Sequence, residues 1–263
     1  MTDQTANRRH ECSAVPYRVI DDKSAMKVGL LLAGVALVLI VIHIITYSMM
    51  FLQGHGEDGF AGVIHSFVNL GGDNSVSENL NHGMLFICFT SFLYVFHKTR
   101  SRLSLFLFSF FAFAWFDDSC QYHERLGIIL AHAFELPALF GLREKDLGEL
   151  LAWVLAAAIL ASLGVWAYRG RRSGDGTVLR SIVYPIAILI FCAVVFDIAH
   201  IMIEGPMADV VFTALEDGGE MMAIAAAATV SLAIQGNYGK IYQRGGWQRM
   251  HPHVSVWNSE RCC

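Results

Sequence analysis

Six stretches of this chain are apolar for as long as a bilayer is thick, and that limits the fold more than any motif does. They run Lys27–Leu52, Asn81–His97, Leu103–Glu124, Leu147–Tyr168, Ser181–Glu204 and Ala208–Gln235. Crossing the hydrocarbon core takes roughly 20 apolar residues in a helix. Within lipid every backbone N–H and C=O must be paired inside the segment, so such runs become helices. The predicted fold class is therefore all-α: a polytopic membrane protein, a bundle of about six transmembrane helices. Composition agrees, with 55% hydrophobic and 16% charged residues among 263 and a mean hydropathy of +0.47.

The domain plan is simple. Residues 1–25 form a polar head, 26–236 the six-helix membrane domain and 237–263 a polar tail. The first apolar run is too long for the apolar part of a cleavable signal and reads as a retained anchor. Orientation follows from Lys and Arg. Sixteen of the nineteen lie in the head, the span 2–3 turn, the span 4–5 loop and the tail. The intervening loops hold only Arg125, Arg143 and Lys145, and the 53–80 loop has Glu57, Asp58, Asp73 and Glu78 with no Lys or Arg. The positive-inside rule then puts both termini in the cytoplasm. The segment from Arg125 to Leu147 is partly apolar and is expected to extend span 3 and then lie along the outer interface, with Pro137 ending the helix.

No basic block with interleaved aromatics is present, so nucleic acid is not an expected partner. The six cysteines show no CxxC spacing. Cys88 and Cys192 sit in apolar runs and read as small core residues. Cys120 has no expected disulfide, and Cys262 and Cys263 read as a free tail.

Against this apolar background, acids and histidines inside the spans are costly and invite a functional explanation. Span 3 ends in Phe116–Leu126, FDDSCQYHERL, with Asp117, Asp118, His123 and Glu124 close together. Span 5 carries Asp197, His200 and Glu204, and span 6 carries Glu216, Asp217 and Glu220. At about 1.5 Å per residue, Asp118, Asp197 and Glu220 fall roughly 22–25 Å from the inner edge. His43 and His82 reach a similar level, as do Glu149 and Trp153 at the start of span 4. The expectation is one polar layer in the outer third of the bilayer, built from spans 3, 5 and 6.

Spacing supports a shared direction. Asp197, His200 and Glu204 form one helical stripe, as do Glu216 and Glu220. Asp117, Cys120 and Glu124 form a third, and on a continuous helix His123 points away from it. The layer holds up to eight carboxylates with Arg125 the only strong base close by. Carboxylates clustered in a low dielectric cannot all stay ionised and unpaired. Protons, charged histidines or a bound cation must balance them.

Carboxylate and imidazole together suit zinc, iron or manganese. Helical bundles build such centres from Glu and Glu-x-x-His on facing helices, and Asp197-x-x-His200 approximates that pair. The candidate metal ligands are Asp118, His123, Asp197, His200, Glu216 and Glu220, with Glu124 as the catalytic proton acceptor. The depth makes a lipid-like molecule the natural substrate. Two other readings stay open: a proton- or cation-coupled carrier, whose path the apolar inner halves do not continue, and a polar network that only fixes helix packing. His43 reads as a hydrogen-bonded packing residue and His82 as part of a helix cap with Asn81. His65 and His132 read as solvated or interfacial.

The same residues carry a resemblance. FDDSCQYHERLG, with an acid, then His-Glu and Arg-Leu-Gly at a span end, resembles a broad set of uncharacterised bacterial multi-span membrane proteins. LEDGGEM, Leu215–Met221, resembles the Glu-rich start of that set's last span, and FVNLGGDNSVSENLNHG, Phe67–Gly83, its segment between spans 1 and 2. The chain departs in lacking a Pro-Thr-Trp turn. The resemblance implies a bacterial inner-membrane protein and brings no activity with it. A weaker similarity is to ceramidase-like membrane hydrolases, which set His, Asp and Ser around zinc. Those use more histidines at wider spacing, so their activity is not carried over.

Overall fold

The computed structural model describes residues 21–53, 59–139, 142–203 and 205–242. The expectations for the head, the tail, the terminal cysteines and Glu204 fall wholly or largely outside these residues. Nine α-helices are described: α1 Lys23–Gln53, α2 Phe60–Val68, α3 Val76–Thr99, α4 Arg102–Cys120, α5 Tyr122–Ala133, α6 Glu144–Arg169, α7 Asp175–Phe191, α8 Asp197–Met202 and α9 Pro206–Tyr242. A five-residue π turn, Cys192–Phe196, joins α7 to α8. Among the described residues six helical segments are long and apolar enough to cross a membrane: α1, α3, α4, α6, α7 through α8, and α9. The protein is a polytopic helical membrane protein, as its apolar runs require.

The ladder of helices has local causes. Ser75 caps α3 by accepting the Glu78 N–H at 3.0 Å, which starts that helix before Asn81 and removes Asn81 and His82 from the cap. Ser101 caps α4 through the Ser104 N–H. Asp22 caps α1, accepting the Ser24 and Ala25 N–H groups at 3.0 Å. The Ala25 N–H, with weaker help from Asn237, holds the Asp22 carboxyl below its ordinary range despite some burial. Caps of this kind satisfy donors that the first helical turn leaves unpaired.

α9 is the central post. In its Ala-rich middle Ala223, Ile224, Ala225, Ala227 and Ala228 are buried, and α1, α3 and α7 pack around it. Small residues let these helices approach closely where lipid gives no hydrophobic drive to associate. Gly29 faces Thr229 so closely that a Cβ there would overlap its side chain. α4 lies on α3, with Phe92 and Phe111 stacked at 5.8 Å. α6 lies on α4 and α5, while α7, the π turn and α8 lie on α9. α6 and the α7–α8 arm barely touch, so a slot runs between them.

The two ends of the bundle differ. At the basic end, buried Asp175 accepts Ser101 Oγ at 2.6 Å and Tyr242 Oη at 2.8 Å on one oxygen and the Arg172 N–H at 2.5 Å on the other. Arg172 also donates to the Thr99 carbonyl at 2.6 Å. Four segments are thus tied together around one carboxylate. The acidic end carries the polar layer.

Three expectations about the spans need correction. Span 3 does not run unbroken to Glu124, because Gln121 adopts a left-handed conformation (φ 52°) that ends α4 at Cys120 and starts α5 in a new direction. Span 5 starts at Asp175 rather than Ser181, and span 6 continues to Tyr242 rather than Gln235. Asp197 and Glu220 are then each about 33 Å along the helix from the basic end, farther than the sequence estimate. A short helix, α2, was also not anticipated; it packs on α1 through Ala61 and Gly62 and leaves Phe60, Val63 and Phe67 exposed.

Candidate functional site

The break at Gln121 decides how span 3 contributes. On a straight helix His123 would point away from Asp117. With Gln121 left-handed, α5 turns back, and His123 comes to Asp117. Asp117 Oδ1 accepts the His123 backbone N–H at 2.9 Å, and Oδ2 lies 3.0 Å from His123 Nδ1. Asp117 is only 3% exposed. Burial disfavours the charged imidazole, yet the hydrogen bond and charge of Asp117 outweigh it and hold His123 above the ordinary histidine range.

The other candidate residues also sort into pairs. Asp118 Oδ2 lies 3.0 Å from His82 Nε2 on α3, with Glu78 at 3.8 Å from the same nitrogen. His200 sits between two carboxylates of α9: Nδ1 is 3.0 Å from Glu216 and Nε2 is 3.0 Å from Asp209. Both ring nitrogens of His200 therefore face acceptors, an arrangement that a doubly protonated imidazole satisfies. Asp209 also accepts a hydrogen bond from Tyr47 on α1. Asp209, Glu216 and Glu220 follow one stripe down α9, which explains how α8 docks on that helix.

Asp197 and Glu220 complete the layer without side-chain partners among the described residues. Neither makes a hydrogen bond or ion pair to a described residue. Glu220 lies within electrostatic range of Asp217, Asp118, Glu216 and Asp197. Asp197 is within range of Glu216, Glu149, His123 and His200. The three acidic clusters thus meet. They meet as a chain of imidazole–carboxylate pairs, however. Among the described residues no group of three or more His, Cys, Asp or Glu side chains converges to hold a metal ion.

A small pocket opens beside the layer, in the slot between α6 and the α7–α8 arm. His123, Asp146, Glu149 and Trp153 line one side, and Val194, Asp197, Ile198 and Ile201 the other. Its volume of about 50 Å³ holds a few waters at roughly 10–15 Å³ each, and no acyl chain. Asp146 is satisfied by Arg143, whose Nη2 is 2.8 Å away, and Glu149 is paired with Lys145 at 3.2 Å. The Trp153 ring lies 5.2 Å from the His123 ring. Glu124 is within electrostatic range of His123 but does not line the pocket.

Several contributors are not among the candidate ligands that spacing suggests. Asp117 belongs to the span 3 cluster, but its pairing depends on a left-handed Gln, a conformation with no glycine to announce it. His82 faces Asp118 rather than capping α3. Asp209 lies near the start of span 6, where a charge reads as interfacial. His65 is half-buried and packs inward: its Nδ1 is 3.1 Å from Thr46 Oγ1 and its ring 5.0 Å from that of His43. His43 is buried and accepts the Leu70 N–H at 3.4 Å, as a packing histidine should.

A family model described as a domain of unknown function, DUF8692, matches residues 29–234. The chain belongs to the DUF8692 family. The matched region runs from α1 into α9 and so includes the whole polar layer of this DUF8692 member. No curated protein matches it, and no solved structure does.

Proposed function

We propose that this DUF8692 protein is a membrane-embedded acid–base site that hydrolyses a lipid-like molecule from the outer leaflet of a bacterial inner membrane. The observation that carries this reading is the His123–Asp117 pair. Asp117 occupies Nδ1, which fixes the tautomer and supports the imidazolium, and Nε2 is left as the nitrogen available to the pocket. That is the division of labour between an orienting carboxylate and a general base. The pocket admits water, and Asp197 supplies a second titratable group on the opposite wall. His123 takes a proton from the attacking water, and Glu124, on the same turn outside the pocket, exchanges it with the loop side. The knot around Asp175 closes the basic end, which favours a one-sided site over a through-path.

The metal-centred alternative places zinc, iron or manganese on Asp118, His123, Asp197, His200, Glu216 and Glu220. The test is turnover of lipid-like esters and amides by the protein in nanodiscs, beside elemental analysis. General-base catalysis contributes about 10²–10⁴-fold, so His123→Ala should lose at least about 100-fold with its helicity intact. Unchanged turnover in that variant would overturn the acid–base role. Stoichiometric metal that disappears in an Asp197→Ala, His200→Ala double variant would replace it with the metal-centred one.

A further inference from the structure

The pocket has a charge pattern that the hydrolytic reading does not use. Asp197 lines it with no hydrogen-bond or ion-pair partner for its carboxylate among the described residues. Asp146 and Glu149 are paired, but with Arg143 and Lys145, neither of which lines the pocket. His123 is the one basic side chain on the wall, and its Nδ1 is committed to Asp117. An anionic head would meet carboxylates on both walls, set against the single imidazole of His123. Trp153 lines the α6 wall, and aromatic rings attract cations, Trp most strongly. Beyond the polar end the walls are apolar, with Ala193, Val194, Ile198 and Ile201 on the α7–α8 side. α6 rests on α4 and α5 while the arm rests on α9.

From these features we infer that the pocket binds the primary ammonium head of an amphiphile from the bilayer, with Asp197 as counter-ion and Trp153 as its aromatic wall. A primary ammonium suits the site better than a bulkier quaternary one. It is a compact point charge with three N–H donors, and the volume is only about 50 Å³. The inference rests on the proposed function for its place in the reaction, since it names the substrate class of that site. Binding itself needs no turnover, so the two fail separately.

The test is equilibrium binding of octylamine to the full chain in nanodiscs, with octanol, octyl sulfate and octyltrimethylammonium as comparison probes and empty nanodiscs subtracted. The expected result is saturable octylamine binding that weakens at least about 10-fold in Asp197→Asn, and an octanol signal that does not depend on residue 197. Trp153→Leu removes no charge and should also weaken octylamine more than octanol, which keeps the test valid if Asp197→Asn fails to fold. Equal octylamine binding in wild type and both variants overturns the inference. So does octyl sulfate binding as tightly as octylamine, or a pocket that takes zinc through Asp197 and ignores the amine. Loss of turnover in His123→Ala with octylamine binding retained separates the chemistry from the recognition.

Discussion

α5 carries His123 and α6 carries Glu149 and Trp153, and the two helices cross at a pair of glycines. A Cβ built on Gly148 would lie 2.8 Å from the Gly127 carbonyl carbon, closer still to its oxygen, and 3.2 Å from Ala131 Cβ. One on Gly127 would lie 2.7 Å from the Glu149 nitrogen. The Gly127 and Glu149 atoms are backbone and cannot rotate away, and the Ala131 Cβ has no other rotamer to move to. Ordinary contact begins near 3.4 Å, so Gly148→Ala must push α5 and α6 apart by roughly an ångström. Overpacking of this kind costs about 1–3 kcal/mol. At roughly 2–4 °C per kcal/mol for a chain of this size, the thermal midpoint in detergent should fall by about 2–12 °C. Function should suffer more than stability, because a shift of about 1 Å in a positioned group can cost on the order of 100-fold. The assay is a melt by tryptophan fluorescence beside turnover or octylamine binding. Gly34→Ala is the control, since nothing lies within 4 Å of its added Cβ, and helix propensity alone should leave it neutral or slightly stabilised. If Gly148→Ala melts with wild type and keeps wild-type binding, the close crossing does not hold the pocket wall and the reasoning fails.

The His123 imidazole should titrate above an ordinary histidine in a nitrogen-15 NMR experiment, and Asp117→Asn should drop its midpoint, since burial is then opposed only by the more distant charges of Glu124 and Glu149. By linkage, the stabilisation that Asp117 gives protonated His123 is complete below about pH 6.5 and fades as pH rises through the raised midpoint of His123; a melt series across pH in wild type and Asp117→Asn shows it, and parallel curves would contradict it. Asp175→Ala should cost about 3 kcal/mol or more, because it strands three donors at roughly 1–3 kcal/mol each, whereas Ser101→Ala should cost only about 1 kcal/mol; equal losses would rule out Asp175 as the hub. His200→Leu should speed amide exchange across residues 197–202 without changing exchange in α3, and uniform exchange would show that Asp209 and Glu216 do not anchor α8.

The spans were legible because the bilayer imposes one rule on every backbone group, and runs such as Leu30–Ile45 satisfy it plainly. The meeting of Asp118, Asp197, His200 and Glu216 was legible too, because acids in lipid have few places to go. The pairings were not. Asp117 reaches His123 only through the left-handed Gln121, and neither residue type nor spacing distinguishes that turn from one more helical step. His200 finds Asp209 and Glu216 because a π turn precedes α8, and CAVVF carries no mark of one. Helix ends shifted for a similar reason: Ser75 caps α3 and Asp175 ties down the start of α7 from positions that hydropathy counts as loop.

That π turn gives span 5 a place where chain length can change. A π turn carries one residue more than the α-helix it interrupts. Deleting one of residues 192–196 lets the helix close to regular geometry with nearly the same rotation and rise, so α8 keeps its place and His200 stays between Asp209 and Glu216. The same deletion within α7, with the π turn kept, would rotate α8 by about 100° and draw it back by about 1.5 Å. In the evolution of the family, the loss of a residue should therefore be accepted in this short stretch far more readily than in the helix before it.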